Sequence, residues 1–508
     1  MAGSQSGFRQ CFRLVQRSGV SRWFISQNNK IFPGSVLRTP ITTRCCRPYA
    51  TQTGFGQPTH ETRPHLLKEG ELTPGIQAVE YHLRRRALAD KMQDGAVAIF
   101  VGAEKTFRSG VVFHEFHQNP NVYYLSGFME PNCVIAIERH QDDYEFHMFV
   151  EPKNERVELW EGPRTGVQGA LDVFNADSAS DIGGLRKRLD EIIGRASVVY
   201  MDKPKDSSDF GSFFSPQAKR GSPEASIIEM LKHYGKYKNL KALSPIMHRL
   251  RSVKSPAELQ VMMTAGQISG RAFTEAYAER FTKEADLYAF LEYVFKIGGC
   301  EKSAYVPVVA GGTHSLAIHY TRNDDVLHPG DMVLVDAGGQ YGGYCADISR
   351  TWPVNGKFTD AQKDLYQCVL NVQKACIELA NTSNSLQSLQ QEACRLFQIE
   401  LKNIGFDASM SDITNILYPH YIGHHVGIDL HDCSLVPRNE NLNNGNVVTI
   451  EPGIYVPVDN EKFPKHFRGM GIRIEDNVYI NDNSPLITCA AASKEVDDIE
   501  RVASGLLE

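Results

Sequence analysis

The stretch Met332-Val-Leu-Val-Asp336-Ala-Gly-Gly-Gln-Tyr341-Gly342-Gly-Tyr-Cys-Ala-Asp347-Ile-Ser-Arg-Thr-Trp352 decides the fold of the longer half of the chain. It joins two apolar, strand-like segments through a glycine-rich connection that suits a tight hairpin. A turn centred on Tyr341-Gly342 places Asp336 directly opposite Asp347, with Cβ atoms ~4.5–5.5 Å apart on one face. Two like charges there destabilise a hairpin unless a cation lies between them. The stretch therefore predicts an antiparallel hairpin that binds a hard divalent ion.

A second pair of acids occurs nearer the end of the chain. Glu451 ends the apolar run 447–450 and precedes Pro-Gly, and Glu475 lies in the strand-like segment 471–479. Arg473 stands two residues before Glu475, on the same strand face. A lone charge among apolar strand residues is costly to bury unless it is compensated. We therefore expect this pair to join the first one.

Four histidines lie between the hairpin and the second pair of acids, in Pro419-His420-Tyr-Ile-Gly-His424-His-Val-Gly-Ile-Asp-Leu-His431. The proline and glycines argue against a helical zinc-binding face and favour a loop. Four carboxylates balance the charge of two divalent cations, which makes a dinuclear site plausible. Oxygen ligands with one imidazole suit Mn, Co or Mg better than structural zinc. A bridging hydroxide would then be the natural nucleophile.

Helix and strand signals give the fold class. Ser255-Pro-Ala-Glu258 combines a capping serine, proline at the first helical position and glutamate at the third, which predicts a helix to about Ala278. Another helix is predicted from about Lys283 to Gly298, and two amphipathic helices follow before Gly405. The order helix, helix, strands thus occurs twice, which predicts an α+β domain of two pseudo-repeated halves on an antiparallel sheet. Strands interleaved with helices before residue 245 predict a smaller α/β domain.

The first 60 residues differ in composition from the rest. They contain eight arginines or lysines and no acid, since the first acid is Glu61. An Arg-rich, Ser-containing, acid-free segment is typical of an organelle transit peptide, with a basic surface arm as the alternative. Arg47-Pro-Tyr-Ala50 is similar to sites cut by the mitochondrial processing peptidase. We therefore predict a mitochondrial transit peptide over about residues 1–50.

The remaining composition excludes several classes of protein. The 54 basic residues less these eight leave 46 against 60 acidic residues, which disfavours a nucleic-acid partner. No stretch approaches 18 consecutive apolar residues, so we expect no membrane insertion. The eight cysteines after residue 60 include no Cys-x-x-Cys pair, which indicates reduced thiols in a matrix-like or cytosol-like compartment.

The acids and the histidine loop, with Glu451-Pro-Gly and Arg473-Ile-Glu475, resemble the ligand set of the pita-bread metallopeptidases. Within that family the chain is similar to the aminopeptidase P group, most closely to its mitochondrial members. Three further motifs support a resemblance from about Thr73 to Ile499: Glu80-Tyr-His-Leu-Arg-Arg-Arg, Gln118-Asn-Pro-Asn-Val-Tyr-Tyr-Leu-Ser-Gly-Phe128 and Arg251-Ser-Val-Lys-Ser-Pro-Ala-Glu258. The resemblance implies a creatinase-like α/β domain at about 70–245 and a pita-bread catalytic domain with a curved antiparallel sheet at about 250–505.

The resemblance also implies two divalent metal ions, manganese first, with cobalt, zinc or magnesium as alternatives. Asp336 would chelate one metal alone, and Asp347 and Glu475 would bridge both. His424 and Glu451 would complete the coordination of the second metal.

Other residues receive roles from the same resemblance. His319 would line the pocket for the residue after the cut. The substrate carbonyl and the tetrahedral intermediate would be held by His420 and His431. Glu451 would also carry a proton to the leaving nitrogen, and Arg473 would support Asp336.

The implied activity is an aminopeptidase that removes the first residue from peptides and proteins and favours proline in second place. Its mitochondrial members imply trimming of imported proteins in the matrix, a homodimer, and an additional cytoplasmic isoform as an open alternative. Two other functions stay open: a non-catalytic pita-bread scaffold that binds partners, and a prolidase restricted to dipeptides.

Overall fold

A five-stranded mixed sheet organises the N-terminal part of the chain. The computed structural model describes residues 54–203, 221–482 and 484–505, so the predicted transit peptide over 1–50 lies outside the described residues. The strands before residue 201 are β1 (Glu71–Thr73), β2 (Ile76–Gln77), β3 (Val97–Val101), β4 (Phe107–Ser109), β5 (Val112–Phe113), β6 (Val134–His140), β7 (Asp143–Val150), β8 (Ser178–Asp181) and β9 (Val199–Tyr200). The sheet order is β8-β7-β6-β3-β9, with parallel pairs at both edges and antiparallel pairs between them.

Helices cover both faces of this sheet. The described α-helices of this part are α1 (Ala78–Ala89), α2 (Pro120–Ser126), α3 (Glu155–Glu161), α4 (Gly166–Asp172), α5 (Leu185–Arg195), α6 (Pro223–His233) and α7 (Ser244–Ser252), of which α3 has no buried residue. Two separate clusters of buried side chains lie against the sheet, one including Ile135 and the other Ala136. Successive strand residues point to opposite faces, so β6 is buried on both sides. The predicted interleaving of strands and helices is confirmed.

The C-terminal part contains four long helices in two pairs, and each pair is followed by strands, as predicted. They are α8 (Pro256–Ala278), α9 (Glu284–Ile297), α10 (Asp360–Glu378) and α11 (Leu386–Asn403). The Ser255 side chain accepts from the Glu258 backbone and Glu258 caps Ser255 in return, so the predicted capping box is confirmed. Two short helices, α12 (Met410–Asp412) and α13 (Val496–Ala503), complete the described α-helices of this part. Among the described residues, no helix has the length and apolar character that a membrane crossing requires.

The C-terminal strands form short antiparallel sheets. They are β10 (Lys302–Ser303), β11 (Val308–Gly311), β12 (Met332–Ala337), β13 (Gly339–Tyr341), β14 (Tyr344–Cys345), β15 (Ile348–Pro353), β16 (Val447–Ile450), β17 (Gly453–Tyr455), β18 (Gly471–Arg473), β19 (Asp476–Tyr479) and β20 (Leu486–Ile487). Their orders are β10-β13-β14, β11-β12-β15, β16-β19-β20 and β17-β18. One large buried cluster joins these sheets to α8, α9, α10 and α11.

The hairpin is present, but its predicted register is wrong. Asp336 pairs with Ser349, and Tyr341 pairs with Tyr344, so the turn is formed by Gly342 and Gly343. Both glycines have positive φ, 55° and 79°, as a two-residue type I′ turn requires. The turn lies one residue later than predicted because both its central positions need the left-handed conformation, which tyrosine disfavours. The shift moves each partner by two residues, so Asp336 and Asp347 keep the same face without being directly opposite.

The turn of this hairpin packs against the N-terminal part. Tyr123 donates its hydroxyl hydrogen to the Gly342 carbonyl at 2.7 Å. Arg84 on α1 contacts the Tyr344 hydroxyl at 3.3 Å. These contacts connect the hairpin that bears the aspartates to residues more than 200 positions earlier.

Replacing Gly343 with alanine should destabilise the protein more than replacing Gly405. Their φ values are similar, 79° and 76°, so each alanine adds ~1–2 kcal/mol of backbone strain. At Gly343 a Cβ would also lie 2.5 Å from the Tyr123 ring, whereas no described atom lies within 4 Å at Gly405. Overpacking adds ~1–3 kcal/mol, so the urea midpoint of G343A should fall below that of G405A. Equal midpoints would contradict tight packing of the turn.

Candidate active site

A tyrosine hydroxyl joins the two aspartates of the hairpin. Asp336 lies near the end of β12, and Asp347 immediately precedes β15. The Tyr305 hydroxyl donates to Asp347 Oδ1 at 2.7 Å and is also hydrogen-bonded to Asp336 Oδ1. Burial, together with the two aspartates, raises the pKa of Tyr305 well above its usual value. The phenol therefore keeps its proton and acts as a donor between the two carboxylates.

The two glutamates lie at a break between two strand pairs. Ile450 pairs with Asp476 before the break and Gly453 pairs with Arg473 after it, so the same register places Glu451 opposite Glu475. Both residues are outside the ladders. The Glu451 backbone N–H donates to Ile422 O at 2.8 Å, and the Glu475 N–H donates to Ser349 O at 3.0 Å. Because of this break, the backbones of Glu451 and Glu475 bond to other segments instead of to each other. Irregularities of this kind are common in strand ladders beside active sites.

Hydroxyl groups orient the glutamate side chains. Ser349 donates to Glu475 Oε2 at 2.6 Å, and Thr449 donates to Glu451 Oε1 at 3.1 Å. Ser349 is the residue paired with Asp336 in the hairpin. The β12–β15 pair thus carries Asp336 and also orients Glu475 through Ser349.

Arg473 connects several of these groups. Its Nη2 donates to Asp336 Oδ2 at 2.6 Å, and its Nε donates to Ser349 Oγ at 2.8 Å. Its Nη1 donates to the Tyr455 hydroxyl at 2.8 Å. Burial disfavours the charged guanidinium, but Tyr455 and the nearby carboxylates outweigh it and raise the pKa of Arg473. The predicted contact between Arg473 and Asp336 is therefore present.

His424 lies between acids from the two strand systems. It stands on an irregular loop, as predicted, with its Nδ1 3.0 Å from the His425 carbonyl. Its Nε2 is 3.4 Å from Asp347 Oδ2 and 3.6 Å from Glu451 Oε1. A histidine that donates from Nδ1 to a carbonyl presents its Nε2 lone pair to a metal.

The pKa shifts show that the cluster formed by the four acids and His424 lacks compensating positive charge. Burial raises the pKa of Glu451 to about 7 and that of Glu475 well above its usual value, with Asp347 adding to both. Burial also raises the pKa of Asp336, although Arg473 opposes the shift. Burial disfavours the charged imidazole of His424, but Asp347 and Glu451 outweigh it and raise its pKa to about 9. Acids this close cannot all ionise without added cations.

The donor set fits divalent metal ions. Ligand atoms of Asp347, His424 and Glu475 all lie within 4.8 Å of one another. Asp336 and Glu451 line the same cavity as these three residues. Carboxylate oxygens with one imidazole suit several divalent ions.

Of the three histidines expected to contact the substrate (His319, His420 and His431), two line the cavity, which has a volume of about 180 Å³. His319 and His431 face it, and the His431 ring lies 4.3 Å from the His424 ring. His420 lies beside it, with Nδ1 3.9 Å from Glu451 Oε2 and Nε2 2.9 Å from the Tyr455 hydroxyl. Burial, helped by Arg473, lowers the pKa of His420 to about 3, so its ring is neutral.

Sequence reasoning missed three polar residues of the site. Ser349 could have been found, because it follows Asp347 by two positions in one strand-like segment of the sequence, which predicts a shared face. Tyr305 and Tyr455 had no such signal, since their contacts to Asp336 and His420 depend on tertiary packing.

Replacing Glu475 with glutamine should remove the stabilisation that divalent cations give. Without metal, glutamine resembles the neutral acid that the raised pKa of Glu475 favours, so thermal stability should change little. With Mn²⁺ at ~100 times its dissociation constant, the wild type should gain about 2.7 kcal/mol. Differential scanning calorimetry with and without Mn²⁺ measures both quantities.

A matched control is Glu301→Gln, which changes a partly buried glutamate. Glu301 accepts from Gln340 Nε2 at 3.0 Å and lies outside the cluster. This variant should keep the full response to Mn²⁺. An equal response in Glu475→Gln would contradict the assignment of Glu475 to the cation site.

Two family models match the chain. Metallopeptidase family M24 matches residues 260–482, which include all four clustered carboxylates and His424. The model of the aminopeptidase P N-terminal domain matches residues 81–200, which include the mixed sheet.

Three curated proteins are similar over most of the chain. Intermediate cleaving peptidase 55 of Saccharomyces cerevisiae is 48% identical and covers 88% of each chain. Xaa-Pro aminopeptidase 3 of Mus musculus is 35% identical, with 89% of this chain and 90% of that protein covered. Mitochondrial intermediate cleaving peptidase 55 of Arabidopsis thaliana is 34% identical, with 92% and 91% covered.

Solved structures agree with these matches. The crystal structure of Icp55 from Saccharomyces cerevisiae lacking 58 N-terminal residues has a TM-score of 0.78 and 45% identity, and covers 86% of this chain and all of that one. Zinc-substituted aminopeptidase P from Escherichia coli, in complex with product, has a TM-score of 0.77 and 28% identity, and covers 85% and 99%. The fold, the four converging carboxylates with His424, and this similarity lead to one conclusion: the chain belongs to the M24 metallopeptidases that carry an aminopeptidase P N-terminal domain.

Proposed function

We propose that this protein is a metal-dependent aminopeptidase that removes the N-terminal residue from peptides and proteins, with a preference for Xaa-Pro bonds. The convergence of four carboxylates and His424 on one cavity is the observation that supports this activity most directly. The names of the similar Xaa-Pro aminopeptidase 3 and intermediate cleaving peptidase 55 support the substrate class.

The proposed ligands of two divalent cations are Asp336, Asp347, His424, Glu451 and Glu475. Asp336 would hold one ion, Asp347 and Glu475 would hold both, and the second ion would also be held by His424 and Glu451. Bound divalent cations supply Lewis acidity toward a carbonyl and a lowered pKa for water. Manganese is the proposed ion, because the donors are mostly oxygen.

The protein side chains would position the peptide and move its protons. Glu451 would deliver a proton to the departing nitrogen, because an amide nitrogen leaves only once it is protonated. His431 and His420 would hold the carbonyl and the tetrahedral intermediate, and His319 would line the pocket for the residue after the cut. Arg473 would fix the orientation of Asp336, which it contacts at 2.6 Å.

The protein would act in mitochondria on imported proteins. The acid-free, arginine-rich segment 1–50 would be its transit peptide, followed by an N-terminal domain at 70–245 and a catalytic domain at 250–505. The word mitochondrial in the name of the Arabidopsis relative supports this location. We also propose a homodimer.

Replacing Glu451 with glutamine should lower kcat on Xaa-Pro oligopeptides by ~10²–10⁴-fold, because the leaving nitrogen loses its proton donor. Turnover should be measured with Mn²⁺ on matched Xaa-Pro and Xaa-Ala oligopeptides, with metal content determined in parallel. Glu461→Gln, which changes an exposed glutamate, is the control and should retain full activity.

Other results of this assay would exclude the proposal. Absence of turnover by the metal-loaded wild type would favour a scaffold that binds partners without catalysis. Cleavage of Xaa-Pro dipeptides alone would identify a prolidase.

Depletion of the protein in cells should leave a set of mitochondrial proteins one residue longer at the N-terminus. The physical reason is that removal of one terminal residue is the only change an aminopeptidase of this kind makes after the presequence is cut. Proteomics of N-terminal peptides from isolated mitochondria measures the change. Wild-type protein should restore the shorter termini and Glu451→Gln should not. Unchanged termini after depletion would contradict the mitochondrial role.

A further inference from the structure

A second cluster of ligating side chains lies on the N-terminal sheet, separate from the M24 site. Glu138 on β6 is directly opposite Glu145 on β7, and His147 lies two residues beyond Glu145 on the same face. Like charges directly opposite each other destabilise a strand pair. Glu138 is buried, whereas the Glu145 side chain is 49% exposed. The pair therefore lies at a position that solvent and ions can reach.

His147 points an unsatisfied nitrogen into this cluster. Its side chain is 1% exposed, and its Nδ1 lies 2.7 Å from the Ser178 hydroxyl on β8. Its Nε2 is buried without a hydrogen-bond partner among the described residues. Leaving a buried polar atom unpaired costs free energy, so His147 Nε2 requires a partner in the space in front of it. The nearest acceptors are Glu138 Oε2 at 3.5 Å and Glu145 Oε2 at 3.6 Å.

We propose that Glu138, Glu145 and His147 form a binding site for a divalent transition-metal ion such as Zn²⁺. Ligand atoms of all three lie within 4.8 Å of one another. Metal–ligand bonds of ~2.0–2.2 Å around a tetrahedral ion place neighbouring donors about 3.4 Å apart. The two distances from His147 Nε2 match this spacing, and one imidazole with two carboxylates suits zinc, cobalt or nickel.

The surroundings of the cluster are compatible with a cation. Arg195, at the end of α5, donates to both Glu138 oxygens at 2.7 and 2.6 Å. It neutralises one of the two glutamates and leaves one negative charge for the ion. Ser178 holds His147 from the opposite side, as groups behind metal-binding histidines commonly do. His140 Nε2, at 3.8 Å from Glu138 Oε1, is the next histidine on this face.

Metal analysis of the holoenzyme tests the site. Wild-type protein, His147→Gln and Glu145→Gln are equilibrated with excess Zn²⁺, desalted, and analysed for zinc per chain by plasma emission spectrometry. The wild type should retain one equivalent more than either variant, and all three should keep the same peptidase activity. Asp143→Asn is the matched control, because it removes a carboxylate from the same hairpin at a side chain that is 82% exposed.

Two variants are used so that the test remains valid if one of them misfolds. Glu145 is on the surface, so Glu145→Gln keeps the fold even if His147→Gln does not. Crystals of the wild type soaked in Zn²⁺ should also give an anomalous peak at the zinc edge between Glu138, Glu145 and His147. Equal zinc content in wild type and Glu145→Gln, or no peak there, would overturn the proposal and leave His147 Nε2 as a neighbour of the glutamates without a metal between them. Neither result depends on turnover at the M24 site.

Discussion

Repulsion among four converging carboxylates is the constraint on which the M24 site depends. Asp336, Asp347, Glu451 and Glu475 share a cavity with Arg473 as their only arginine partner among the lining residues. The raised pKa of Glu451 and Glu475 shows that one guanidinium and one imidazole do not compensate the four acids. Such an arrangement is stable as fully ionised groups only with added positive charge. The rest of the local structure serves to hold these acids together.

The scaffold holds them by combining regular strands with interruptions. The hairpin supplies Asp336 and Asp347, while the break between β16 and β17 and between β18 and β19 frees Glu451 and Glu475 from the ladders. Arg473 then connects through the Tyr455 hydroxyl to His420. Hydrogen-bonded support of this kind fixes ligand orientation, which a metal site requires.

Local features could be predicted from the sequence, whereas features that depend on distant contacts could not. The capping box at Ser255 gave the start of α8 correctly, because capping depends on neighbours three residues apart. The hairpin register was wrong because either of two adjacent turns keeps Asp336 and Asp347 on one face. The turn at Gly342-Gly343 is selected by its positive φ angles and by the Tyr123 contact from a distant segment. The sequence also gave no indication that the continued register places Glu451 opposite Glu475.

Local chemistry in the sequence alone determined the helices, the strands, the candidate ligands and the resemblance to a metallopeptidase family. These follow from periodicity, capping and residue type, which act over a few neighbouring positions. Tertiary structure alone decided the bond from Tyr305 to both aspartates, the bond from Ser349 to Glu475, and the meeting of Glu138 with His147. These contacts depend on strand register and on packing between distant segments, whose geometry is fixed only when the whole core closes.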